Sequence, residues 1–283
     1  MKILIFFTML FITYIQACDS NIPSECRKCK HIIREQSRAE QFTRYKNFMI
    51  DSIAIPGITI LALTPALYGK NRIMQGLPFE KEKMFNGAGW MCATAVPAAT
   101  INIGGNNLCS SEDDSTPLRF TKSLGCGSLS GIMTNSLELL CQNMQNGYSL
   151  KHIKKQGLKR ILLSGMPAIS LREGLYVSGW STLSPMFSQY LHNHFSNIYL
   201  CYFLSGICIG FPIGFITSPI DKIRAIQHAH IMTNKPIPPA STILSEMFYS
   251  KSLFQGGLTR GRICATATIA MPLMMHLRQK YIF

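Results

Sequence analysis

Two short runs carry charge where the surrounding sequence carries little. In GMPAISLREGLYVSGW, residues 165–180, Arg172 and Glu173 stand side by side among apolar and small residues. In PIDKIR, residues 219–224, Asp221 and Arg224 end a long stretch, Gly174–Ile220, that contains no Asp, Glu, Lys or Arg. Charges held in apolar surroundings need partners, because an unpaired one costs several kcal/mol. The chemistry such residues suit is recognition and reversible ion pairing. Arg172 can fork onto a carboxylate, and Glu173 can take an amino or other cationic group. A structural alternative stands beside this: Arg172 and Glu173 neutralise one another and serve packing. PIDKIR taken alone also reads as a helix stop whose charges reach toward water.

Bond-making chemistry finds no comparable set. CRKCKH brings together Cys26, Cys29 and His31, but a single CxxC without a fourth ligand is a weak zinc pattern, and no metal or cofactor is expected. His192 and His194 share one short polar loop, His228 is isolated, and neither a phosphate loop nor a nucleophilic triad is present. An enzyme is therefore not the expected reading.

Composition points to a membrane. The 283 residues are 47% hydrophobic and 15% charged, against about 25% charged in ordinary soluble domains. Mean hydropathy is +0.15. The net charge of +14 is spread between apolar runs rather than gathered in a basic domain, which argues against nucleic acid. The ten cysteines are scattered, unlike a secreted disulfide framework. Uncharged stretches at Ser52–Gly69, Met84–Ser111, Ser123–Leu137, Gly174–Ile220 and Ile263–Leu277 divide into six predicted helices, because the fourth splits at SQYLHNHFSN. Their approximate spans are 50–70, 86–106, 119–142, 165–189, 197–220 and 258–278. The small residues of GSLSG (127–131) and GICIGFPIG (206–214) read as close helix packing. The links after the first, third and fifth helices are basic, whereas NNLCSSEDDSTP after the second is acidic. That alternation suits an even-numbered bundle. The basic run CRKCKHIIREQSRAEQFTRYK before the first helix goes against it, so orientation stays open.

The ends of the odd-numbered helices repeat. TPALYGKNRIMQ, NSLELLCQNMQ and SPIDKIRAIQH align on Pro65, Ser136 and Pro219. Two residues on stand Leu67, Glu138 and Asp221, and five on stand Lys70, Cys141 and Arg224. Each helix end is followed by a link and then by a glycine restart at Gly87, Gly165 or Gly256. This threefold register resembles the mitochondrial carrier family over roughly residues 48–280, and PIDKIR matches the first half of its P-x-[DE]-x-x-[KR] signature in full.

The resemblance implies an all-α membrane protein: six transmembrane helices in three tandem two-helix repeats, with short surface helices between the helices of each repeat. Residues 48–110, 118–190 and 196–280 would be the repeats, after a 1–47 segment that is signal-like or an extra helix followed by a basic stretch. It implies kinks at Pro65, Ser136 and Pro219, and gate salt bridges in which each acid meets the next base, Glu138 with Arg224 and Asp221 with Lys70. The third junction, Leu67 with Cys141, lacks both charges together, as the cost of an orphaned charge demands. Counting seven residues from each restart glycine, the resemblance makes Thr94, Arg172 and Ile263 the expected substrate contacts, with Glu173 beside them. An arginine–acid pair at that point is similar to carriers of amino acids, carnitine and S-adenosylmethionine. Membrane lipid, cardiolipin among it, a monomeric state and the mitochondrial inner membrane are implied too, although MKILIFFTMLFITYIQAC resembles a secretory signal and leaves another membrane open. Three departures are visible. Ser136 replaces a proline, QG at 156–157 lies out of register, and the positions around Asn107, Pro185 and His276 offer no opposite gate of charges. Arg260 and Arg262 either serve the substrate path or reach to water. The expected function is exchange of a small metabolite by alternating access. The alternative is a carrier-derived membrane protein that acts as a scaffold without transport.

Overall fold

The computed structural model describes residues 50, 54–109, 114–233 and 235–281. The signal-like segment and the Cys26, Cys29, His31 cluster lie outside the described residues. The described residues are all-α, with no strand among them. Six long helical rods dominate. The first is α1, Ile55–Gln75. The second, 88–109, joins α2, Ala88–Ala99, through a π-helical turn at Thr100–Gly104 to α3, Gly105–Cys109. The third is α4, Thr116–Gln145. After two short link helices, α5 Leu150–Lys154 and α6 Leu158–Leu163, comes the fourth rod, 166–192. It is α7, Met166–Ser178, a π-helical turn at Gly179–Leu183, and α8, Ser184–His192. The fifth rod, 198–232, strings together α9, Ile198–Ser205, a π-helical turn at Gly206–Gly210, α10, Phe211–Ile216, and α11, Ser218–Met232. A link helix, α12, Ala240–Tyr249, leads to the sixth rod, α13, Gly257–Tyr281.

Each rod packs against the next, and the sixth closes on the first, so the six form a ring. The C-terminal parts of the odd rods also meet one another across it. The first link holds a 3-10 turn, Lys81–Lys83, rather than a full helix. There a hydrogen bond from Lys83, with Arg72 close by, holds the half-buried Glu80 carboxyl below its ordinary range.

Glycines set the repeat in three dimensions. The restart glycines Gly87, Gly165 and Gly256 have φ of 77°, 71° and 85°, a region that costs other residues strain. Each presses its bare backbone on the end of an odd rod in cyclic order: Gly87 on Cys141, Gly165 on His228, Gly256 on Met74. Two odd rods end at comparable glycines, Gly76 and Gly147, with φ of 66° and 92°. The third repeat has His230 in that register, and α11 runs on to Met232, well past the expected end near 220.

The helix path is unbroken through Pro65 and Ser136, and only Pro219 coincides with an interruption. A proline in the first turn of a helix sacrifices no internal hydrogen bond. Thr217 marks the break, with its Oγ1 donating to Ile213 O at 2.7 Å.

The distribution of side chains is inside-out. Ser130, Asn135, Gln142, Asp221 and His228 are buried, whereas Ile58, Leu129, Phe203 and Ile216 are 62%, 52%, 50% and 65% exposed. Polar side chains thus fill the ring while large apolar ones face outward. One stretch among the described residues, Ile198–Ile216, is long and apolar enough to cross a membrane, with mean hydropathy 1.8. The other rods mix apolar outer faces with polar inner ones, which lowers their average.

Close packing of the third and fourth rods rests on Gly127 and Gly131. A Cβ at Gly131 would lie 2.8 Å from Ile169 O, whereas one at Gly125 would meet nothing within 4 Å. Gly131→Ala is therefore expected to lower the thermal midpoint in detergent, at a cost of about 1–3 kcal/mol. Gly125→Ala should leave it unchanged or raise it slightly. Equal effects of the two substitutions would contradict this packing.

Candidate functional site

The break at Thr217 and Pro219 starts α11 anew and places Asp221 in its first turn, where a helix N-terminus favours negative charge. Asp221 is fully buried, and its carboxylate accepts from four cations. Oδ2 takes Lys70 Nζ at 2.6 Å from the first rod and an Arg260 guanidinium nitrogen at 3.0 Å from the sixth. Oδ1 takes Arg172 at 2.7 Å from the fourth rod and Arg224 at 2.8 Å from its own. A carboxylate offers about four lone-pair sites, so Asp221 is saturated.

Glu138 on the third rod meets Arg172 at 2.7 Å and Arg224 at 2.5 Å, one through each oxygen. Glu173 accepts from Arg172 Nε at 2.8 Å. Arg172 therefore touches all three carboxylates. The cluster sets four cations against three carboxylates, with one positive charge in excess.

Behind this layer the odd rods are joined by neutral groups. Ala225 O accepts from Gln142 Nε2 at 3.1 Å and Gln75 Nε2 at 3.3 Å. Asn71 donates to Gln145 at 3.3 Å and Asn146 donates to Gln75 at 3.1 Å, which ties the first rod to the third. That is the junction where Leu67 and Cys141 replace charges. His228 lies buried, with Nδ1 3.2 Å from Gln142 Oε1 and Nε2 3.2 Å from Ser164 O.

The cluster forms one end of a cavity of about 190 Å³ inside the ring. Thr94, Arg172, Glu173 and Ile263 all line it, as do Lys70, Glu138 and Arg224. The structure thus brings the three expected contact points to one cavity and sets Glu138 against Arg224 and Lys70 against Asp221. Asp221 itself lies behind Lys70 and the arginines.

Of the two arginines that the sequence left between the substrate path and water, one turns inward, and Tyr176, Trp180 and Asn102 were not foreseen. Arg260 is buried and holds both Asp221 and Thr217, whereas Arg262 is exposed. Tyr176 and Trp180 form part of the cavity wall. Their signal was available, because Arg172, Tyr176 and Trp180 recur at four-residue spacing and so share a helix face. Asn102 also lines the cavity, and its Oδ1 has no hydrogen-bond partner. His192 and His194 are exposed and lie on a different segment from buried His228. At the opposite end, His276 packs edge-on against Tyr199 and Tyr202, with ring centroids 5.8 and 6.1 Å apart, and joins the sixth rod to the fifth.

No protein-family model matches this sequence, and no curated protein matches it.

Removing an acid from this cluster strands the cations that it served. Asp221→Asn should destabilise the fold most, by about 3–5 kcal/mol, because it leaves buried charges uncompensated. Glu138→Gln should cost less, and Glu173→Gln, which loses a single cation at a partly exposed site, least. Thermal unfolding of the three variants in detergent checks the order. A Glu173→Gln loss as large as that of Asp221→Asn would contradict it.

Proposed function

We propose that this chain is a six-span membrane solute carrier of the mitochondrial-carrier type, in which each rod crosses the bilayer once. The observation that carries the reading is the cavity, which lies within a ring of three cyclically related repeats and ends on the ion cluster around Asp221. The outward apolar faces and inward polar ones suit a lipid surround, and the apolar stretch Ile198–Ile216 is one span of the six. The inner mitochondrial membrane is the proposed site on the resemblance to the carrier family alone.

In this reading the ion cluster is a closed gate. Alternating access needs a contact that is strong enough to shut and weak enough to be opened by ligand binding. Arg172 supplies the coupling. It lines the cavity and at the same time binds Glu138, Glu173 and Asp221. A substrate carboxylate that takes the guanidinium would compete with the gate acids for it. Glu173 then becomes available for the cationic end of the substrate. A small zwitterion or carboxylate, of the kind represented by amino acids, carnitine and S-adenosylmethionine, fits this arrangement. The excess of one positive charge disfavours a polyanion as resident ligand less than it disfavours a simple cation, and the size of the cavity favours a small solute.

The alternative reading, a scaffold without transport, draws on the full mutual pairing of the cluster, which could serve as a permanent lock. Proteoliposomes preloaded with mixed amino acids, carnitine and S-adenosylmethionine separate the two. Saturable uptake by the wild type that falls at least tenfold in Arg172→Ala is expected. Uptake unchanged by Arg172→Ala would overturn the site, and no uptake by folded protein of any of these solutes would favour the scaffold.

A further inference from the structure

A pair of thiols lies toward the end of the ring away from the ion cluster. Cys109 closes α3 at the end of the second rod and is exposed, and Cys126 lies partly buried within α4. The Cys126 side chain lies against the turn of α3 that carries Cys109, close enough for the two thiols to interact. The backbone makes room for this approach at Gly105, where a Cβ would stand 3.0 Å from Cys126 Sγ. Gly105 and Cys109 are one helical turn apart and share a face. The bare backbone of that face receives one thiol and its next turn carries the other. Cys126 sits about 18 Å along α4 from Glu138, so the pair is remote from the charges of the cavity floor.

We propose that Cys109 and Cys126 form a redox-active dithiol, closed to a disulfide by a small-molecule disulfide of the oxidised-glutathione class. Cys109 is the entry point because it is the exposed thiol. Its thiolate, having lost a proton to solvent, attacks one sulfur of the oxidant, forms a mixed disulfide and releases one thiolate. Cys126, deprotonated in turn, attacks the Cys109 sulfur of that mixed disulfide and expels the second small thiolate. The protein loses two electrons and two protons, and the oxidant gains them as two small thiols.

The bond covalently joins the second rod to the third at one mouth of the ring. If the rods move as the proposed function requires, the staple holds that mouth in one arrangement. This consequence rests on the carrier reading, whereas the chemistry of the pair does not.

The test uses purified full-length protein in detergent, exposed to oxidised glutathione, alkylated, digested and read by mass spectrometry. A peptide linked through Cys109 and Cys126, lost on treatment with dithiothreitol, is expected. Cys126→Ser serves as the reference, and in it Cys109 should stop at the glutathione adduct. Wild-type protein in which Cys109 accumulates as the adduct without linkage would overturn the proposal, as would both wild-type thiols remaining alkylatable while Cys109 of Cys126→Ser is modified. Reversible loss of uptake on oxidation, seen in the wild type and absent in Cys126→Ser, would tie the staple to transport. Linkage without any change in uptake would retain the dithiol and sever that tie.

Discussion

A single buried carboxylate organises this molecule. Asp221 holds cations from the first, fourth and sixth rods as well as from its own, so four of the six rods meet at one side chain. The attraction of each cation is offset by the cost of taking it from water, and only the completeness of the pairing makes the arrangement tolerable. Such a cluster is inherently poised. Fully paired it closes the ring, and loss of any one partner leaves the others searching for a counter-charge.

The second constraint is the near-repetition of one unit. Each restart glycine seats on the end of an odd rod belonging to the following repeat, which closes the cycle without a special joint. Where the repeats differ, the packing adapts. The charge-free junction of Leu67 and Cys141 is bridged one layer away by Asn71, Gln75, Gln145 and Asn146. Neutral amides are less sensitive to salt than ion pairs and carry no penalty for an orphaned charge. The ring is therefore ionic at two junctions of its odd rods and amide-linked at the third.

Much of this was legible in the sequence. The apolar runs mark the six rods to within a few residues at most ends, because uncharged length is a direct record of what can sit in an apolar surround. The register of Glu138, Asp221, Lys70 and Arg224 was visible because the repeat fixes their spacing from Pro65, Ser136 and Pro219. What escaped depends on three-dimensional approach. Arg260 lies only one turn into its rod, where a basic residue reads equally as an anchor to water, and its burial follows from the seat of Gly257 and Gly261 against the fifth rod. The π-helical turns within the second, fourth and fifth rods insert extra backbone at small-residue sites that no periodicity marks. At Pro65 and Ser136 the helices run on without a break.

The proposal that the Asp221 cluster is a shut gate at one end of a membrane-spanning ring is tested most directly by side-resolved labelling at Thr94. Thr94→Cys protein in sealed vesicles would be exposed to a membrane-impermeant thiol reagent from either side and read at that position by mass spectrometry. Labelling from one side only, and from both sides once Asp221→Asn is added, is the result the account predicts. Identical labelling with and without Asp221→Asn, in folded protein, would contradict it.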